Sequence, residues 1–284
     1  MARWPEMTEA DLEREWNTHW RWEWLLNHGW RMDAIRASYA AKSVEHLAGL
    51  LRRLDVQSIL DCSCGLGLKT ILLADEGFDI CGSDISSIAV ERAAELAKRE
   101  GFKIEFRQAG WSAVPDVWGR NRFDCVFCDA LSWTPNDAIL RGSAIGFCGT
   151  LRPGGLLLWS GATKDSLERN GLTLALECCR SKPQSELSLA CEFEGGSVVR
   201  MITRRVDGEG VLVRYAYAVL QAGEVSNEVA ELPEPTCWSW NRMWGVLRAA
   251  GFRQPETVAT VVNGEQRLHN VARRRDLVVQ NSEA

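Results

Sequence analysis

The chain lacks any uninterrupted apolar run near the roughly 18 residues that a membrane-spanning helix requires. It also lacks a positive surplus: the formal net charge is -5, which argues against a nucleic-acid partner, because phosphate binding needs a basic patch. The locally basic run "VARRRD" reads as a solvated strand end. The start is acidic and tryptophan-rich, without the basic residues and short apolar core of a secretory signal. The cytoplasm is therefore the expected compartment, with no membrane partner. There is no internal repeat or low-complexity segment. Histidines are few, and His19, His28, His46 and His269 have no spacing that points to a metal ion or a catalytic base.

Cysteine, by contrast, is plentiful at ten residues. Cys81, Cys125 and Cys128 lie in apolar runs, where a reduced cysteine acts as a small hydrophobe. The spacing of "CVFC" resembles a zinc half-site, but on a strand positions i and i+3 face opposite ways and no matching second pair follows. Cys178 and Cys179 read as helix packing rather than a site for a soft ion.

Length and composition fit one large domain, or a domain with an elaborated cap. "MTEADLEREW" opens as a capped helix, and "DAIRASYAAKSVEHLAGLLRRL" continues the helical start. Strands and helices then alternate through "QSILDCS", "LKTILLADEG", "FDICGSD", "SSIAVERAAELAKREG", "FKIEFRQA", "RFDCVFCDA", "NDAILRGSAIGFCGTL" and "LLLWS". That rhythm specifies an α/β fold with a parallel sheet covered on both faces. From about Ser185 the texture becomes antiparallel, as a hairpin around "DGEG" inserted on the main sheet. The expected organisation is a helical cap over 1–54, a core over 55–184, an antiparallel lid over 185–235, and a helix and strands over 236–284 that complete the core sheet.

The most informative stretch is "ILDCSCGLGLKTILLADEGFDICGSDIS". A strand ends at Asp61, Gly65 and Gly67 form a tight turn, and a helix follows at once. Asp84 ends the next strand, placed to accept bonds from two ribose hydroxyls. The same turn serves dinucleotides, but two features oppose them. Thr70 stands where a third glycine would fall, and Asp61 sets a carboxylate where a pyrophosphate would be repelled. A carboxylate suits a ligand with an ammonium group and no phosphate, such as S-adenosylmethionine.

From "LDCSCGLG", "GFDICGSDIS" and "LRPGGLLL", residues 57 to 160 resemble class I S-adenosylmethionine-dependent methyltransferases. "EFRQAGWSAV", the N-terminal helices and the antiparallel cap narrow the resemblance to the glycine N-methyltransferase-like group. It implies a Rossmann-like fold with a mostly parallel seven-stranded sheet. It further implies that Asp61 and the backbone at Cys64, Gly65 and Gly67 hold the methionine portion, and Asp84 the ribose. Ile85 and Trp111 would sandwich the adenine, with backbone contacts from Gly110. Asp129, at the end of the fourth strand, would contact the cofactor and face the reacting atoms, orienting an amine N–H or accepting its proton. Trp133 would line the substrate mouth. Leu131 and Ala162 replace a polar residue and a carboxylate-binding arginine of the group, which puts glycine as substrate in doubt.

Five of thirteen tryptophans fall between Trp16 and Trp30. Trp16, Trp20 and Trp24 share a helical stripe, with Trp22 nearly opposite. Core packing is expected for Trp16 and Trp20. The resemblance makes Trp24, Trp30 and Arg36 roof residues over the pocket, Trp24 towards the substrate and the other two towards the cofactor. Tyr215 and Tyr217 share parity on the hairpin, facing either the pocket or a packing stripe. The expected activity is methyl transfer to a small molecule, first of all an amine nitrogen. O- or C-methylation, a macromolecular acceptor and a non-catalytic binding module are the alternatives, and a homo-oligomer is left open.

Overall fold

Helix α1 (Glu9–Leu26) starts with a reciprocal cap. The Thr8 amide donates to Asp11 Oδ2 at 3.0 Å, and the Asp11 amide donates to Thr8 Oγ1 at 3.2 Å. The computed structural model describes residues 6–26, 32–36, 39–131, 134–160, 184–207, 210–233, 238–262 and 264–275. The helical start continues as α2 (Met32–Arg36) and α3 (Tyr39–Arg53).

The alternating segment follows as β1 (Ser58–Asp61), α4 (Leu68–Asp75), β2 (Asp79–Asp84), α5 (Ser87–Arg99), β3 (Phe106–Gln108), α6 (Val114–Trp118), β4 (Phe123–Phe127), α7 (Asp137–Thr150) and β5 (Leu151–Ser160). A single 3-10 turn, Trp111–Ala113, leads into α6. Side-chain caps fix two helix starts, Ser86 accepting from the Ala89 amide and Asn136 from the Ile139 amide. The chain closes with α8 (Trp240–Ala250), β10 (Glu256–Val262) and β11 (Glu265–Arg273).

These strands form one seven-stranded sheet in the order β10-β11-β5-β4-β1-β2-β3. The strands β1 to β5 pair in parallel, while β11 runs antiparallel to β5 and to β10. The order reverses between β1 and β4. In such sheets ligands bind at that switch point, beyond the carboxyl ends of the strands. Hydrophobic cores fill both faces: Leu60, Val126, Leu157 and Phe147 belong to one, Ile59, Phe127, Leu158 and Leu73 to the other. Cys125 and Cys128 fall in opposite cores, as strand parity requires.

The antiparallel region is larger than the expected hairpin. It is a separate four-stranded sheet of β6 (Gln184–Phe193), β7 (Gly196–Asp207), β8 (Gly210–Gln221) and β9 (Glu224–Pro233), in sequential order. Tight turns carrying Gly195 and Gly223, both at positive φ, join β6 to β7 and β8 to β9. One face packs on α1, where Trp22 and Leu26 meet Val198, Tyr217, Val219 and Ala230. Among the described residues no helix is long and apolar enough to cross a membrane.

Candidate functional site

The turn between β1 and α4 depends on two glycines. Gly65 has φ 51° and Gly67 φ 79°, backbone that L side chains rarely adopt. A Cβ on Gly67 would stand 2.9 Å from Ala93 Cβ, so space as well as conformation demands glycine there. The Ile71 amide donates to the Gly67 carbonyl at 2.8 Å, starting the helix directly from the turn.

Two buried aspartates brace this turn. Asp84 accepts from the Gly65 amide at 2.9 Å and from the Ser86 amide at 3.0 Å. Asp61 accepts from Thr70 Oγ1 at 2.8 Å and from the Ser63 amide at 3.2 Å. Burial pushes both carboxyls up to about 6, against the opposing pull of these donors. Asp84 faces the pocket, whereas Asp61 is 1% exposed and turned into the turn's own donors.

A cavity of about 90 Å3 lies beyond the strand ends, bounded by Cys62, Ser63, Asp84, Ile85, Trp111 and Ala130. Trp111 is fixed by its Nε1, which donates to the Cys62 carbonyl at 2.7 Å, and by packing on Phe147. The roof is α1, through Glu9, Leu12, Trp16 and Trp20. Trp20 lies directly over the turn, with its ring 3.0 Å from where a Gly65 Cβ would be. Trp16 stacks on Trp20 at 5.9 Å between centroids. Glu9 accepts from Ser112 Oγ at 2.9 Å, and its Oε2 stands 2.7 Å from where a Cβ on Gly110 would be.

Polar contacts hold α1 on both sides. Ser86 Oγ donates to Asn17 Oδ1 at 2.7 Å, and Gln108 Nε2 donates to Glu13 Oε1 at 2.8 Å. Towards the antiparallel sheet, the Glu231 amide donates to Glu15 Oε2 at 2.8 Å, and Arg21 pairs with Glu228 at 2.9 Å. The helix therefore straps the two sheets together.

The structure gathers Cys64, Gly65, Gly67, Asp84, Ile85, Gly110 and Trp111 around the turn and cavity. It separates others. Arg36 pairs with Glu100 at 3.3 Å and with Asp75 at 3.5 Å, at the C-terminal ends of α5 and α4, away from the turn that starts α4. Trp24 is not a roof residue, because its ring lies under the guanidinium groups of Arg92 and Arg99 on α5. Trp16 and Trp20, expected in the core, line the pocket instead. Tyr215 and Tyr217 face α1: the Tyr215 ring meets His19, and the buried Tyr217 hydroxyl touches His19 and Glu23. Trp30, Trp133 and Ala162 lie outside the described residues. Asp129 pairs with Lys69, a residue that the turn motif does not single out.

The methyltransferase domain family matches residues 59–155, the segment that builds the turn, both aspartates and the pocket floor. The chain is 27% identical over 124 residues to a glycine/sarcosine N-methyltransferase of Halorhodospira halochloris, covering 43% of this chain and 46% of that protein. It is 25% identical over 131 residues to a ubiquinone biosynthesis O-methyltransferase of Rickettsia felis, covering 46% and 50%. It thus spans about half the length of the curated relatives it matches. Among solved structures, an S-adenosylmethionine-dependent methyltransferase from Clostridium acetobutylicum superposes with a TM-score of 0.61 at 14% identity, covering 85% of this chain and 94% of that one. That likeness extends the shared fold beyond the matched domain.

The lining suits parts of the cofactor, but with α1 seated as it is the cavity of about 90 Å3 is smaller than the roughly 300–1,000 Å3 of small-molecule sites, so the whole cofactor enters only if the roof moves. Asp84 presents a carboxylate at the cavity wall, and Ile85 and Trp111 offer apolar walls. Ile85 and Trp111 were expected on either side of an adenine; both line one cavity.

Proposed function

We propose that this protein transfers a methyl group from S-adenosylmethionine to a small-molecule acceptor, with an amine nitrogen as the first choice. The observation that carries the reading is the enclosure of Asp84, Ile85 and Trp111 beneath Trp16 and Trp20 at the β1/β4 switch point. Bound there, the cofactor supplies an electrophilic methyl group on a sulfonium. The chain's own contribution is to orient the acceptor in line with that methyl and to exclude water, and such positioning is worth roughly 7–11 kcal/mol.

The strap α1 and the antiparallel sheet above it favour a small acceptor over a macromolecule. In this reading Asp84 holds the ribose hydroxyls, and Asp129, already neutralised by Lys69, orients groups at the acceptor side rather than acting as a strong base. A glycine/sarcosine N-methyltransferase among the relatives supports nitrogen; an alkyl amine must first shed its proton, which the neighbouring sulfonium and desolvation both favour. O-methylation is the second reading, because an O-methyltransferase is among the relatives at similar identity. The cytoplasm is the proposed location, consistent with buried free cysteines such as Cys62 and Cys64, whose thiols burial pushes up and keeps unreactive.

The test is calorimetry with S-adenosylmethionine and S-adenosylhomocysteine, followed by a panel of amines and phenols incubated with methyl-labelled cofactor and read by mass. Micromolar binding and label on amines is the expected result. Label on phenols alone would move the acceptor to oxygen, and absence of binding by either nucleoside would end the methyltransferase reading.

A further inference from the structure

A ligand larger than the cavity can enter only by parting α1 from one of its two neighbours. The two sides of the helix differ in kind. Towards the antiparallel sheet, Trp22 and Leu26 are buried among Val198, Tyr217, Val219 and Ala230, each 2% exposed or less. Beside them the buried Glu23 pairs with Arg200 and accepts from the Tyr217 hydroxyl. Parting this side would return large apolar surfaces to water and break that ion pair. Towards the seven-stranded sheet the contacts are polar, and half-buried or exposed. Asn17 Oδ1 accepts from Ser86 Oγ at 2.7 Å and from the Ile88 amide at 3.4 Å. Glu13 Oε1 accepts from Gln108 Nε2 at 2.8 Å, and Glu9 Oε2 from Ser112 Oγ at 2.9 Å. Water can replace each of these bonds at little net cost. Between them, Trp16 and Trp20 cover a cavity rather than fill a core. At the far end of the helix, Trp24 rests on α5 through Arg92 and Arg99.

We propose that α1 and the antiparallel sheet open as one rigid lid. It parts from the seven-stranded sheet along the seam of Glu9, Glu13 and Asn17, and pivots where Trp24 meets α5. The helix does not peel from the antiparallel sheet. Opening uncovers Gly65, Asp84 and Trp111 together. Closure returns the seam bonds and the two indoles over the bound ligand, which keeps water from the reacting groups. The identity of the entering ligand rests on the cofactor reading above, whereas the motion can be measured without one.

Two amides of the wild type report the two sides of α1. The Ile88 amide, in the first turn of α5, bonds to Asn17 across the seam. The Glu231 amide, on the edge strand β9, bonds to Glu15 Oε2 on α1. Native-state hydrogen exchange by NMR, on the ligand-free chain, should show Ile88 exchanging at least tenfold faster than Glu231 after correction for intrinsic rates. A smaller ratio, or a faster Glu231, would mean that the helix leaves the antiparallel sheet and would overturn the proposal. Two disulfide locks test the same motion through binding. Asn17→Cys with Ser86→Cys ties the seam when oxidised. Leu25→Cys, beside the native Cys191 whose Sγ lies 3.3 Å from the Leu25 carbonyl, ties α1 to the antiparallel sheet. By calorimetry, the oxidised seam lock should bind S-adenosylhomocysteine at least thirtyfold more weakly than its own reduced form. The sheet lock should bind within threefold in both states. Loss of binding in the oxidised sheet lock, or none in the oxidised seam lock, would overturn the single lid. Failure of the wild type to bind S-adenosylhomocysteine would instead defeat the cofactor reading, and the two amide rates would still decide the motion.

Discussion

Thr70 donates its hydroxyl to Asp61 at 2.8 Å, and both residues are buried. This bond explains why a threonine stands where a dinucleotide-binding turn would place a third glycine: the carboxylate under the turn needs a donor. Thr70→Val keeps the shape and removes the hydroxyl. It should cost about 1–3 kcal/mol in urea unfolding at neutral pH, the penalty for a buried acceptor left short. The sign with pH follows from Asp61, raised by burial to about 6 against 3.8 for the unconstrained group. Its ionised form is the disfavoured one, so its cost is fully present above pH 6 and is relieved as pH falls towards 4. The deficit of Thr70→Val should therefore shrink between pH 7.5 and pH 5. A constant deficit would mean that the hydroxyl matters only for packing.

Asp84 gives a binding counterpart. Burial raises its carboxyl to about 6 in the ligand-free chain. If it accepts ribose hydroxyls, the nucleoside binds the ionised form, and affinity should fall as pH is lowered through 6. Calorimetry with S-adenosylhomocysteine at pH 7.5 and 5 should show a loss of about tenfold, roughly the 1.4 kcal/mol of one pKa unit. Asp84→Asn should bind more weakly at pH 7.5 and with a flatter profile. An Asp84→Asn variant that matches the wild type at both pH values would remove Asp84 from the ribose site.

The glycine turn was legible because its determinants are local: Asp61, Gly65, Gly67 and Asp84 sit at strand ends and in tight turns, where a residue's type and its position define one another. The parallel sheet followed from the alternation of strand and helix patterns. The roof was harder to read. Helical spacing told that Trp16, Trp20 and Trp24 share a stripe, but not which neighbour each part of the stripe would meet. The helix crosses from the pocket to α5 along its length, so Trp20 covers Gly65 while Trp24 rests against Arg92 and Arg99. Lys69 gave no local signal, because its partner Asp129 lies sixty residues further along the chain. Likewise β6 and β9 complete a sheet of which the turn residues around "DGEG" announced only the central hairpin.

That division of labour along α1 separates two substitutions. Trp24→Ala should lower stability by about 3 kcal/mol, through lost packing and lost cation–π contact, with little change in nucleoside affinity. Trp20→Ala should do the opposite in emphasis, weakening S-adenosylhomocysteine about tenfold by opening the roof above Gly65. Parallel thermal melts and calorimetry on both variants make the comparison. If Trp24→Ala loses more affinity than Trp20→Ala, the roof belongs to the other end of the stripe.

The strap itself depends on a polar cluster where α1 meets the antiparallel sheet. The Tyr217 hydroxyl lies 3.1 Å from His19 Nδ1 and donates to Glu23 Oε1 at 3.3 Å, while Glu23 also pairs with Arg200. Tyr217→Phe removes the group that both His19 and Glu23 touch, at an expected cost of about 1–3 kcal/mol. Burial first, and the charge of Arg200 second, hold His19 down to about 3 from an ordinary 6.5. The folded chain therefore keeps this imidazole neutral while the unfolded chain takes up a proton. The stability tied to His19 is intact above pH 6.5 and is lost progressively as pH falls towards 3. His19→Gln should be less stable than the wild type at pH 7.5, yet lose less on going to pH 5, as read by denaturant midpoints. Because the same helix carries Trp16 and Trp20 over the pocket, Tyr217→Phe should also weaken S-adenosylhomocysteine binding, although Tyr217 does not line the cavity. Unchanged affinity alongside lowered stability would mean that the antiparallel sheet supports the fold without setting the position of the roof.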